Sequence, residues 1–167
     1  MKKLLMFVAF AAMCMTASAQ ELVTYTGEEF IVQHPAEYKD VVDSWSNSVN
    51  EWKMDDSHNL TCWYDDDACK VVEFNMYAAA QKMVMEEKGM TCDDPVINGK
   101  ICTVRGVKGN QVEYSYVVNF GVKTYSECLK GKFRCLVSDE AKYKPMLDTI
   151  LNTLIKYLGT SRPVKYK

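Results

Sequence analysis

The last part of the chain carries its most regular apolar pattern. After Pro145, apolar residues recur at the three- and four-residue spacing of one helix face: Met146, Leu147, Ile150, Leu151, Leu154, Ile155 and Leu158. Gly159 follows, and glycine is common where helices end. The pattern predicts a C-terminal amphipathic helix, and a stripe of this width must be buried against another element.

Upstream of this helix, the apolar positions alternate with polar ones instead. The clearest alternation runs over 111–120, with Val112, Tyr114, Tyr116, Val118 and Phe120 on one face. This period is typical of a β-strand, and the turn residues at 108–110 predict pairing with a strand over 101–107. Further strands are predicted over 28–34, 59–64 and 69–77, and two more, over 123–128 and 132–137, would complete a meander.

Two segments are less regular. Helix formers dominate 78–88, and Gly89 follows as a stop signal, which predicts a short helix. Apolar residues within 36–53 also recur mainly at helical spacing: Tyr38, Val41, Val42, Trp45, Val49 and Trp52. This spacing favours a helix that begins near Pro35. The Ser and Asn residues of the segment leave strands as the alternative.

Together these elements predict an α+β fold. We expect an antiparallel β-sheet meander packed against the C-terminal amphipathic helix and one or two other helices, as a two-layer sandwich. The sequence shows no repeat, no low-complexity tract and no linker. It is therefore interpreted as one domain over 20–160, followed by a basic, flexible tail over 161–167.

Three parts of the chain resemble the PsbP and Mog1 type of α+β sandwich. They are the segment Phe30-Ile31-Val32-Gln33-His34-Pro35, the late meander, and the closing residues 143–151. The resemblance covers the two ends of the domain, whereas a helix over Tyr38 to Trp52 departs from it. It implies the sandwich fold and no particular function.

The first nineteen residues have the pattern of a bacterial signal peptide. Lys2 and Lys3 precede an apolar run, and Ala17-Ser18-Ala19 forms an A-x-A cleavage site before Gln20. The apolar run is about a dozen residues long, against the roughly twenty that a membrane-spanning helix needs. We therefore expect no transmembrane segment, cleavage near Ala19-Gln20, and a mature protein in the periplasm or outside the cell.

Cleavage would remove Cys14 and leave six cysteines: Cys62, Cys69, Cys92, Cys102, Cys128 and Cys135. An even number in an exported chain predicts disulfide bonds, although sequence alone leaves the connectivity open. Turn residues lie within each neighbouring pair, which favours three local bridges: Cys62–Cys69, Cys92–Cys102 and Cys128–Cys135, the last across a turn at Gly131-Lys132. The spacing required for a zinc site or a C-x-x-C redox centre is absent from the sequence.

The charge of the chain argues against nucleic acid as a partner. Without Lys2 and Lys3, 18 Lys and Arg stand against 22 Asp and Glu, a formal charge of −4. The basic residues are scattered among acidic ones, whereas a nucleic-acid-binding protein needs a clustered basic face. We expect a protein or a small molecule as the partner.

The sequence contains no catalytic motif, so no catalytic residue, metal site or cofactor is predicted, and the ligand-binding residues stay unassigned. The preferred interpretation is an exported, non-catalytic module of the bacterial cell envelope that binds a protein or small ligand. One alternative is a small secreted hydrolase that uses His34 or His58 with a carboxylate. The other is a periplasmic metal-handling protein that uses the Asp clusters at 55–56, 65–67 and 93–94, or Met76, Met83, Met85 and Met90.

Overall fold

The computed structural model describes residues 21–26, 30–41, 49–65, 74–119 and 128–161. Within these ranges the strands are β1 (Leu22–Thr26), β2 (Ile31–Pro35), β3 (Lys39–Asp40), β4 (Val49–Lys53), β5 (Asn59–Asp65), β6 (Thr91–Cys92), β7 (Val96–Asn98), β8 (Ile101–Lys108), β9 (Gln111–Asn119) and β10 (Cys128–Leu136). The helices are α1 (Phe74–Glu87) and α2 (Glu140–Ser161), and a 3-10 turn (Val137–Asp139) leads into α2.

Most of these strands form one antiparallel sheet in the order β3-β4-β5-β10-β9-β8-β6, and β7 pairs with β8 beside β6. Strands β1 and β2 form a separate antiparallel hairpin, whose side chains join the same core. The architecture confirms the predicted α+β class, with antiparallel sheets and the C-terminal helix packed on the sheet. The predicted hairpin of β8 and β9 is also confirmed, and Gly109 adopts the positive φ (61°) that its turn requires.

The main core lies between one sheet face and α2. Alternate residues of β9 and β10 point to this face and are buried: Val112, Tyr114, Tyr116, Val118, Leu129, Phe133 and Cys135. The predicted stripe of α2 covers them with Leu147, Ile150, Leu151 and Leu154. Helix α1 covers part of the opposite face, where Ala78 packs with Val117. Strand β9 is therefore buried on both sides.

The helix predicted for 36–53 is wrong in its described part, which forms β3 and β4. Strand β4 pairs with β5, and Trp52 faces Leu60 across this pair with both side chains fully buried. The strand predicted over 69–77 is also wrong from Phe74 onward, because α1 begins there and includes most of the helix predicted over 78–88.

Two of the three predicted disulfide bonds are also wrong. The turn predicted at Gly131-Lys132 is absent, because Cys128 and Cys135 lie on the continuous strand β10. Seven residues of strand span about 23 Å, whereas bridged Cα atoms lie within about 7 Å. Cys92 pairs with Gly106 of β8, four positions and therefore about 13 Å along the strand from Cys102.

No disulfide joins two of the five cysteines in the described ranges. Cys69, Cys14, the predicted signal peptide and residues 162–167 of the predicted tail lie outside those ranges, so the Cys62–Cys69 pairing, cleavage and export stay predictions. No helix of the described part of the chain has the length and apolar character needed to cross a membrane.

Candidate functional site

A groove lies between β7 and β8 on one side and α2 on the other. Its volume is about 490 Å³, and its lining includes Val96, Ile101, Arg105, Tyr114, Lys144 and Leu151. Arg105 and Tyr114 are register partners on β8 and β9, so both side chains project from the sheet face that α2 covers. We call this cavity the β8–α2 groove.

One wall of the β8–α2 groove is a network of charged groups. The guanidinium of Arg105 donates two hydrogen bonds to Glu140, from Nε to Oε1 (2.5 Å) and from Nη2 to Oε2 (2.7 Å). A third runs from Nη1 to Asp93 Oδ2 (2.9 Å), and the Tyr114 hydroxyl donates to Glu140 Oε1. Paired charge-assisted bonds of this kind hold both side chains in one geometry.

The network shifts the protonation equilibria of its members. The hydrogen bonds from Arg105 hold the pKa of Glu140 below its usual value, and Tyr114 adds to this effect. Burial, followed by the bond to Glu140, raises the pKa of Tyr114. At neutral pH the wall therefore carries a carboxylate, a guanidinium and an intact phenol.

We expect the free energy of unfolding of the wild-type protein to fall more steeply on acidification than that of Glu140→Gln. The pKa of Glu140 is lowered in the folded state. Its charge therefore stabilises the fold above the unfolded pKa of about 4.3, and this contribution is lost as the pH falls through the folded pKa. Urea unfolding between about pH 7 and about pH 3 measures both slopes.

The matched control is Glu87→Gln, because Glu87 is exposed at the end of α1. This variant should retain the acid dependence of the wild type. If Glu140→Gln and the wild type lost stability in parallel over the whole range, the Arg105–Glu140 pair would not contribute in the way its geometry indicates.

The second wall of the groove is apolar and exposed. Val96 lines the groove and is 62% exposed, whereas Ile97 is 43% exposed and faces the opposite side of the sheet. Both lie on β7, which pairs only with β8 among the described strands. This strand was not predicted from the sequence, because residues 93–95 and 98–99 carry turn signals. The available signal was an apolar pair directly before Asn98-Gly99, which is a hairpin pattern, and Gly99 has the positive φ (59°) of such a turn.

His58 is buried between two carboxylates. Its Nδ1 lies 2.9 Å from Asp55 Oδ1, and its Nε2 lies 3.1 Å from Asp139 Oδ2. The hydrogen bond to His58 is the main reason that the pKa of Asp55 is lowered. A general base needs one nitrogen directed at its substrate. Here Nδ1 is bonded to Asp55 within the 54–58 turn, and Nε2 joins this turn to Asp139 in the 3-10 turn before α2. The arrangement is that of a structural link.

His34, the other predicted candidate, stacks on Trp52 with ring centroids 5.2 Å apart. Its Nδ1 lies 3.0 Å from the carbonyl oxygen of Pro35. Within the described residues the structure does not bring His34 and His58 into one site, since His34 on β2 stacks on Trp52 and His58 packs against Tyr143 of α2. Trp52 is fully buried, Trp63 is half-buried, and Trp45 lies outside the described residues.

The described cysteines occupy three environments. Cys62 lies in the main core, where its Sγ is 2.7 Å from the Tyr116 hydroxyl, and burial raises its pKa to about 12. Cys135 is buried in the same core, and burial raises its pKa to about 11. Cys102 and Cys128 are buried on the α1 side of the sheet. Cys92 is half-buried, so it is the described cysteine most open to solvent.

The acidic clusters do not converge in the described structure. Asp93 pairs with Arg105, and Asp94 pairs with Lys82 on α1. No three His, Cys, Asp or Glu side chains of the described residues approach closely enough to share a metal ion. Asp66 and Asp67 lie outside the described ranges.

No protein family and no curated protein matches this chain. Among solved structures, the chain is similar to the Ran-binding protein Mog1p of Saccharomyces cerevisiae, with a TM-score of 0.49 and 11% sequence identity. The alignment covers 82% of this chain and 93% of Mog1p. An inference about function therefore depends on the geometry of this chain's own residues.

Proposed function

We propose that this chain is an exported, non-catalytic module that binds an extended segment of a partner protein in the bacterial cell envelope. The observation that supports the binding role is the edge strand β7, with its exposed Val96 and Ile97, beside the β8–α2 groove. The signal-peptide pattern of residues 1–19 supports export.

An extended peptide suits this edge for two reasons. The outer backbone groups of an edge strand can pair with an added strand, and the alternating side chains of that strand then enter neighbouring pockets. Val96 faces the same side of the sheet as Thr103, its register partner, and both line the groove. A partner strand on β7 would therefore direct alternate side chains toward Ile101 and Leu151.

The size and lining of the β8–α2 groove fit one or two such side chains. Its volume of about 490 Å³ is within the range of ligand-binding clefts, roughly 300–1,000 Å³. Burial of one large apolar side chain contributes about 1.5–3 kcal/mol. The Arg105–Glu140 network makes the opposite wall rigid before binding, which lowers the entropic cost of association.

The charged groups of the groove support binding rather than catalysis. Arg105 donates to both Glu140 and Asp93, and Lys144 donates to Asp148 on α2. Both nitrogens of His58, the buried histidine, are directed at carboxylates. Within the described residues, no free base is directed into the groove.

We expect Val96→Lys to weaken peptide binding at least about tenfold, because it places a charge on the apolar edge. The ligands are extended peptides selected from a random displayed library against the mature protein, and fluorescence anisotropy measures Kd. Val23→Lys is the matched control, because Val23 is also an exposed valine (43%) on a strand, β1.

Equal Kd values for Val96→Lys and the wild type, or a library that yields no binder, would contradict the proposed site. Mass spectrometry of the bound peptides should show them intact, and cleavage would favour the hydrolase alternative.

Export is tested on the same preparation. The full precursor, expressed in an export-competent bacterium, should yield a chain that starts at Gln20, and retention of residues 1–19 would contradict export.

A further inference from the structure

Three sulfur-containing side chains converge over Gly106 on the sheet face opposite the β8–α2 groove. A Cβ atom added to Gly106 would lie 2.8 Å from Met85 Cε, 3.0 Å from Cys92 Sγ and 3.2 Å from Met90 Sδ. The Met90 and Cys92 sulfurs therefore lie within about 6 Å of each other. We call Met85, Met90 and Cys92 the sulfur cluster.

Backbone contacts hold the sulfur cluster together. Helix α1 ends at Glu87, and Gly89, with φ of 79°, reverses the chain so that the Met90 N–H donates to the Met85 carbonyl oxygen (3.1 Å). Strand β6 follows, and Cys92 pairs with Gly106. Met90 and Cys92 occupy alternate positions of an extended segment, so their side chains share a face.

A buried carboxylate lies beside the sulfur cluster. Glu113 is the register partner of Gly106 and is only 1% exposed. Arg134 donates to its Oε2 (2.6 Å), while Oε1 accepts no hydrogen bond and has Lys132 Nζ at 3.4 Å. Glu113 therefore places a carboxylate oxygen without a hydrogen bond on the sheet face that carries the cluster.

We propose that Met85, Met90 and Cys92 form a binding site for a soft monovalent metal ion, Cu(I). Thioether and thiolate sulfur are the ligands that Cu(I) prefers, whereas two thioethers are poor ligands for Zn²⁺ or Ca²⁺. On binding, the Cys92 thiol releases its proton to solvent and its sulfur bonds to the metal. The charges of the thiolate and of Cu(I) cancel, and no electron is transferred.

The solvent exposure of the sulfur cluster suits this role. Met90 and Cys92 are half-buried and reachable from solvent, while Met85 is buried beneath them. Met83 lies two positions before Met85 on α1. It is 60% exposed and faces away from the sulfur cluster, as the helical spacing predicts. The sulfur cluster and the β8–α2 groove lie on opposite sheet faces, so either proposal can fail without the other.

The test is a titration of the reduced, full-length mature protein with Cu(I) under anaerobic conditions, in competition with a chromophoric Cu(I) chelator. Ag(I), which is redox-inactive, repeats the titration as a surrogate. We expect one ion per chain, a loss of affinity of at least about tenfold in Met90→Leu, and about a hundredfold in Cys92→Ser. Met83→Leu is the matched control and should bind like the wild type.

Leucine conserves the apolar volume of Met90, so this variant keeps the packing over Gly106, and circular dichroism checks its fold. The proposal is overturned if Met90→Leu and Cys92→Ser both retain wild-type affinity, or if Met83→Leu weakens binding as much as Met90→Leu does. It is also overturned if non-reducing peptide mapping of the exported protein finds Cys92 in a disulfide bond.

Discussion

Gly131→Ala is expected to destabilise the protein by more than about 3 kcal/mol, or to prevent folding. Gly131 lies in the middle of β10, opposite Tyr116 on β9 and Cys62 on β5. A Cβ atom at this position would overlap the Thr61 carbonyl oxygen and the end of the Tyr116 ring. The Tyr116 hydroxyl donates to that same carbonyl (2.9 Å), so neither group can move without losing this hydrogen bond.

Gly106→Ala is the matched control, because it adds the same methyl group to another strand of the same sheet, β8. Its Cβ would meet the flexible ends of Met85 and Met90 and the Cys92 thiol, so a cost of about 1–2 kcal/mol is expected. Urea unfolding followed by circular dichroism compares the two variants. Equal losses in the two variants would show that the space above Gly131 can adapt, against the packing described.

Leu147→Ala is expected to lower the free energy of unfolding by about 2–5 kcal/mol. Leu147 is fully buried at the centre of the α2 stripe, among the side chains of β9 and β10. Truncation removes apolar contacts and leaves a cavity, because the sheet and α2 cannot collapse completely around it. The Tm and the urea midpoint should both fall, with little change in the dependence on urea concentration.

Thr149→Ala, two positions along the same helix, is the control because its side chain is exposed and bonds only to the Pro145 carbonyl oxygen in the described structure. A change within about 0.5 kcal/mol is expected there. A Leu147→Ala protein as stable as Thr149→Ala would mean that α2 does not provide one side of the core.

Local patterns were sufficient for the elements whose core face repeats regularly. The stripe of α2 and the alternation of β9 predicted both elements, because each period is set by backbone geometry and needs no knowledge of the partner. The hairpin of β8 and β9 followed from the turn residues between them. The α+β class then required only that these two apolar faces cover each other.

Long-range pairing decided the segments that the sequence analysis assigned wrongly. Residues 49–53 have an ambiguous period, and they form a strand because pairing with β5 buries Trp52 against the core. Gly131 was predicted to lie in a turn. The position requires glycine because the Tyr116 side chain crosses β10 directly above it. The spacing of residues in the sequence does not reveal that β10 lies between β5 and β9. It therefore cannot give the distances between the cysteines on these strands.

The sequence by itself determined the fold class, the C-terminal helix, the β8–β9 hairpin, and a signal-peptide pattern whose consequence, export, is a prediction. Only the tertiary structure placed Val96 and Ile97 on an exposed edge, joined Arg105 to Glu140 across 35 positions, and brought Met85, Met90 and Cys92 over Gly106. Helix and strand periods are local properties of the backbone, whereas a site depends on which elements pack together, and that is decided by burial of the whole core.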